Sequence, residues 1–194
     1  KEMFAEAIEL RKMGFEVDDE CRINPKAFAS LHSAESIKRN DKAVEDLERK
    51  FKPIEKEKIE RGETLEMAKT IGFNKHWFGK RLLALRTAKY DDYVNGVDNL
   101  IIDKETFEPL AAVDTTTAYL TKARQLAERI QNGSQVKYGY GLDKEGIKKT
   151  TYQNLPLFII SFSPDELEKL SENYEGFEEY LLKSLKQQSE EFPK

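Results

Sequence analysis

Apolar positions along this chain switch period twice, and the switches delimit its expected elements. Phe4 and Ile8, with Leu10, recur at helical spacing up to Gly14, which predicts a short helix over residues 1–13 closed by a glycine cap. Asn24-Pro25 pairs a capping side chain with a first-turn proline, so a helical turn or two should run to about His32. From Asp41, the residues Val44, Leu47, Phe51 and Ile54 repeat at three and four, predicting an amphipathic helix bounded by Gly62 and kinked at Pro53. Thr64 caps a helix through Thr70, and Asn74 caps another over Lys75 to Lys89 with Trp77, Phe78, Leu82, Leu85 and Ala88 inward.

The period then falls to two. Asp98 shares a strand face with Leu100 and Ile102, and Asp114 shares one with Leu110 and Ala112. If Ile102 faces Leu110 across the turn Asp103–Pro109, Asp98 lies opposite Asp114, with Cβ atoms about 5 Å apart. Helical spacing returns from Thr117 to Gln131 and stops at Asn132-Gly133. Gln135–Leu142 and Leu155–Phe162 read as strands, and Ser163-Pro164 opens a last helix that gathers Leu167, Leu170, Leu181, Leu182 and Leu185.

Two facing carboxylates among Leu and Ile repel each other and lose hydration, so a positive charge should lie between them. A divalent cation with oxygen ligands is the simplest candidate. Asp91 and Asp92 can add a carboxylate to such a site or be ordinary acids of a polar turn. One cysteine, Cys21, rules out a disulfide framework, and two distant histidines rule out a His-x-x-x-His zinc site. The glycines Gly133, Gly139 and Gly141 form no nucleotide-binding fingerprint.

Composition adds a local asymmetry. A net charge of −4 argues against a general nucleic-acid coat, yet Met67 to Tyr90 holds six basic residues and no acid, while Ser163 to Lys194 holds nine acids against four bases. Lys75, Lys80, Arg81 and Lys89 of that basic stretch, with Arg124 beyond the hairpin, are candidate contacts to a polyanion; the alternative is a solvated helix face. Tyr138, Tyr140 and Tyr152, near Lys137, Lys148 and Lys149, can stack on bases or pack against their neighbours. No apolar run approaches the roughly 20 residues that span a bilayer, so a soluble, cytoplasmic protein is expected.

A helix, a strand opening Gly96-Val97-Asp98, a strand closing Val113-Asp114-Thr115-Thr116, then a helix and further strands resembles the PD-(D/E)XK nuclease superfamily. The resemblance spans roughly Lys75 to Phe162. It implies an α/β, restriction-endonuclease-like α-β-β-β-α-β sandwich, a mixed sheet flanked by helices, over residues 64–194 with a C-terminal helix. Residues 1–63 would form an N-terminal helical arm, available to a protein partner. It also implies a nuclease acting on DNA in a phage, mobile-element or restriction-type system, with Asp98 and Asp114 binding Mg²⁺ or Mn²⁺. Two departures stand out. The family's motif lysine falls at Thr116, which can hydrogen-bond but carries no charge, leaving Lys122 on the next helix as the nearest substitute. The helical glutamate is absent from Lys75–Lys89, leaving Glu66, or His76, to replace it, and Asp92 to add a further ligand. The alternative is a catalytically silent domain of the same fold that binds nucleic acid or a protein.

Overall fold

In the computed structural model, which describes residues 2–51, 63, 66–77, 80–116, 127–161 and 175–191, the run Leu82-Leu-Ala-Leu-Arg86 is a strand, β1, and not the second half of a helix. A strand covered on both faces loses its alternation, so such a run is ambiguous by period alone. Burial resolves it: Leu83 and Leu85 enter one core and Ala84 the other. Asn74 caps no helix. It lies in a π-helical turn, Gly72–Trp77, where its amide donates to the Ala84 carbonyl at 3.1 Å and accepts from the Ala84 N–H at 2.6 Å. The side chain thereby acts as a neighbouring strand.

Beside β1 run β2 (Asn99–Asp103) and β3 (Pro109–Thr116), both antiparallel, and then β6 (Leu157–Ser161), parallel to β3. The fold is therefore α/β with a mixed sheet in the order β1-β2-β3-β6. A parallel return needs a crossover. Here it includes a helix over 127–132 and a separate hairpin of β4 (Ser134–Asp143) and β5 (Gly146–Leu155).

Asn99 pairs with Val113, Leu100 with Ala112 and Ile101 with Ala111, a register that sets Asp98 opposite Asp114. At the turn, however, a bulge between Ile101 and Ile102 pairs Ile102 with Pro109. Leu110 is displaced outward, 43% exposed, instead of lying inward with Asp114. The turn consumes the extra residue: Asp103 Oδ1 accepts the Glu105 and Thr106 N–H groups at 2.8 and 3.2 Å, and Phe107 adopts φ 55° to pack its ring 6.1 Å from Phe15.

One sheet face, with Leu83, Leu85, Leu100, Ile102 and Ala112, is covered by N-terminal residues Met3, Ala7, Leu10, Phe15 and Phe28 and by Tyr138 and Tyr140 of β4. Residues on either side of position 63 share this core. Helix α1 (Glu2–Lys12) buries Met3, Glu6, Ala7 and Leu10, and Phe4 turns outward, against expectation. Helix α2 (Ala34–Phe51) begins seven residues before Asp41, where the Ser33 hydroxyl accepts the Ser36 N–H at 3.2 Å, and buries Ile37, Asn40 and Val44. The expected kink at Pro53 and stop at Gly62 lie outside the described residues. On the opposite sheet face, Phe73, Trp77 and Leu181 cover Ala84, Ile101, Val113 and Ile160.

Both flanks of the sheet are closed by side chains. On β6, Gln188 from the C-terminal helix Glu175–Glu191 accepts from the Ile159 N–H at 2.8 Å and donates to its carbonyl at 2.7 Å, and the Tyr180 hydroxyl donates to the Ser161 carbonyl at 2.6 Å. On β1, Asn74 is joined by residues 21–23, which bridge Arg86 with Arg22 as its parallel partner. The tyrosines pack inward: Tyr138 and Tyr140 meet Phe28 edge-on at 5.4 and 5.3 Å. Tyr152 closes over Gly139 and Gly141, where an added Cβ would stand 2.7 and 2.4 Å from its atoms. Among the described residues, no helix is long and apolar enough to cross a membrane.

Candidate functional site

Asp98 lies at the entrance to β2, 7% exposed, with its Oδ2 accepting from Lys69 Nζ at 2.8 Å and from the Thr115 N–H at 2.9 Å. The Lys69 ammonium, fully buried, also donates to the Thr115 hydroxyl. Lys69 belongs to helix α3, over 66–71, where Glu66 and Lys69 stand three residues apart on one face. That face is held to β2 by Thr70, whose hydroxyl donates to the Glu66 carbonyl at 2.8 Å and accepts from Asn99 Nδ2 at 3.0 Å. Asp114 turns instead to Arg129 Nη1, at 2.6 Å. Arg129 also donates to the Gly96 carbonyl, and at Gly96 (φ +67°) an added Cβ would come 2.5 Å from that guanidinium, so both the backbone angle and the contact require glycine.

Beside this pair stands a second group. Asp92, on the short helix α4 (Lys89–Tyr93), accepts from Arg22 Nη1 at 2.8 Å, and Arg22 Nη2 lies 3.2 Å from Glu66. Arg86 Nη2 reaches Glu63 at 2.7 Å and Glu66 at 2.6 Å. Adjacent Asp91 points the other way, accepting from the N–H groups of Lys137 and Tyr138 on β4 at 2.7 and 3.0 Å. Glu66, Asp92 and Asp98, drawn from three elements, each place an oxygen within 4.8 Å of the others. An all-carboxylate donor set of that spacing fits a hard divalent cation.

Electrostatics sharpen the picture. Burial, then the charges of Glu66 and Asp98, push the Asp92 carboxyl up to about 7 despite Arg22. Burial and the Asp98 charge raise Asp114 against the pull of Arg129. Burial also acts to raise Glu63, but the hydrogen bond from Arg86 and the charges of Arg86 and Arg22 outweigh it and hold Glu63 below its usual range.

The expected residues are thus partly gathered. Asp98, Asp92 and Glu66 converge, with Asp114 across the register from Asp98. Thr116 ends β3 opposite Ser161. Lys122 and Arg124 lie outside the described residues. Of the proposed polyanion contacts, Lys75 faces Glu6 at 3.5 Å, Lys89 binds Glu48 at 2.8 Å, and Lys80 is exposed. Arg81 binds Asp103 at the other end of β2 from Asp98, some five residues or about 17 Å away. Sequence reasoning did not single out Lys69, Arg22, Arg86, Glu63 or Arg129. Part of that signal was present, since Glu63, Glu66, Lys69 and Thr70 fall at helical spacing along one face that has to meet the sheet. Comparison with known proteins finds no matching family model, no matching curated protein and no matching solved structure.

Proposed function

We propose that this chain is a divalent-cation-dependent phosphodiester hydrolase acting on DNA, built on the restriction-endonuclease-like plan, with Glu66, Asp92 and Asp98 as cation ligands and Asp114 beside them. The observation that carries the reading is the convergence of three carboxylates from three elements within 4.8 Å. The order of elements adds support: a helix, three antiparallel strands now including β1, a helix, and a strand parallel to the third. Helix α4 and the β4–β5 hairpin are insertions in that order.

A divalent ion bound there would supply Lewis acidity and a bound water of lowered pKa. The remaining roles fall to the chain. Lys69 brings a buried positive charge to Asp98, and it fixes the rotamer of Asp98 while holding Thr115, next to the position Thr116 at which the family's lysine is missing. Its charge is suited to favour a negative phosphate oxygen or to orient a water. Thr116 contributes a hydroxyl at the end of the same strand.

A second reading, a catalytically silent domain of this fold, has one specific observation in its favour: Asp98, Asp114, Glu66 and Asp92 already pair with Lys69, Arg129, Arg22 and Arg86. The deciding assay is Mg²⁺- or Mn²⁺-dependent cleavage of linear, circular, single-stranded and branched DNA. The hydrolase reading expects cutting that Asp98→Asn reduces by about a hundredfold or more. Cation binding without cutting of any substrate would select the silent domain.

A further inference from the structure

Arg22 and Arg86 are partners in a parallel β-bridge, so their side chains leave the backbone next to each other, and both are buried, at 4% and 0% exposure. A guanidinium carries five N–H donors in a planar fork. Among the described residues, the Nε of each arginine has no hydrogen-bond partner, and Arg86 Nη1 has only a long contact of 3.5 Å to the exposed Glu20. Buried charged donors are costly to leave unpaired. The groups that engage these forks are more exposed than the forks themselves: Glu63 at 35%, Glu66 at 20% and Asp92 at 16%. The carboxylates therefore lie between the guanidiniums and solvent.

A bound divalent cation would change that arrangement through the charge of the cluster. With all groups ionised, and leaving solvent-facing Glu20 aside, the four carboxylates of Glu63, Glu66, Asp92 and Asp98 face the three cations of Arg22, Arg86 and Lys69. One net negative charge repels a phosphodiester. A divalent ion on Glu66, Asp92 and Asp98 would make the same cluster net positive and would compete with the guanidiniums for two of the three carboxylates that hold them. Adjacent forks then match the two non-bridging oxygens of a phosphodiester, a geometry that Arg serves better than Lys.

We propose that Arg22 and Arg86 form a phosphate-receiving pair for the DNA backbone, masked by Glu66 and Asp92 and released when a divalent cation takes those carboxylates. This rests on the cation reading of the site and adds to it a coupling: cation and phosphodiester bind together, while the cation-free protein is closed to the phosphate.

The test measures both ligands separately, without turnover. Affinity for a fluorescently labelled DNA duplex with a single-stranded overhang is read by anisotropy in Ca²⁺ and in EDTA, and Mn²⁺ affinity by calorimetry. The wild-type chain should bind the DNA at least about tenfold more tightly with Ca²⁺. Arg22→Gln and Arg86→Gln should each keep Mn²⁺ affinity at or above the wild-type value, because a competitor for the carboxylates is gone, and lose most of the Ca²⁺-dependent gain in DNA binding. Should either glutamine variant fail to melt cooperatively, Arg22→Lys and Arg86→Lys keep the charge without the fork and should lose about threefold or more of that gain. Folded variants that retain the full gain overturn the phosphate pair and leave the cation site standing. Folded variants that lose Mn²⁺ also overturn it, making the arginines holders of the carboxylates. A wild-type chain that binds no Mn²⁺ removes both proposals.

Discussion

Asp92 shows how burial and neighbouring charge set the behaviour of a single group. Its carboxyl, pushed up to about 7 by burial and by Glu66 and Asp98, keeps a proton in the folded protein at pH values where the unfolded chain has released it. Between about pH 4 and 7 the folded state binds the extra proton, so stability falls as pH rises through that window and levels off above it. Asp114, raised by burial and by Asp98, acts in the same sense; Glu63, held low, contributes stability that is lost only below the ordinary carboxylate range. Urea unfolding at pH 5 and pH 8 should therefore differ by on the order of 1–3 kcal/mol in favour of pH 5, and Asp92→Asn should shrink the difference. An unchanged pH dependence in that variant would place the buried proton elsewhere. At this scale the sequence reading was strongest where alternation applied: the pairing of Asp98 with Asp114 follows from period-two spacing, and the register agrees. Lys69 and Arg86 escaped it because a cation inside a basic stretch looks solvated until its carboxylate partners, remote in sequence, are brought to it.

Among the elements, the flanks of the sheet are the features least visible beforehand and the most open to test. Gln188 satisfies both polar groups of Ile159 on β6 as a strand would. Replacing it with Leu leaves an N–H and a carbonyl unpaired at an edge, at a cost of about 1–3 kcal/mol, and opens that edge to another chain. Gln188→Leu should thus melt earlier and elute from size exclusion at an apparent mass that grows with concentration; a monomer of unaltered melting temperature would deny Gln188 this role. The same logic explains why the spacing predicts a helix where β1 stands. Leu82–Arg86 lacks alternation because it is covered on both faces, and Asn74 resembles a helix cap because its amide can serve backbone groups of either kind. Two-sided burial erases the signal on which strand prediction depends, whereas α2, covered on one side, shows its period at the buried Val44 and differs from the expectation in starting seven residues before Asp41.

Across the whole molecule, the N-terminal segment is part of what it covers. Met3, Leu10, Phe15 and Phe28 lie in the core beneath β1 to β3, and Arg22 both extends the sheet and binds Asp92 and Glu66. A chain starting at residue 34 should accordingly show no cooperative thermal transition by circular dichroism, while a sharp melt close to that of the full chain would establish that the remainder folds alone. Coverage of this kind is not legible from linear spacing, which shows that a helix has an apolar face but not which surface receives it. Helix α4 carries a further implication. Its successive residues Asp91 and Asp92 face opposite ways, one grasping two amides of the β4–β5 ribbon and the other seated among the acids. One turn of backbone thus anchors the acidic centre to the ribbon: the amides that hold Asp91 also fix the place from which Asp92 reaches Arg22.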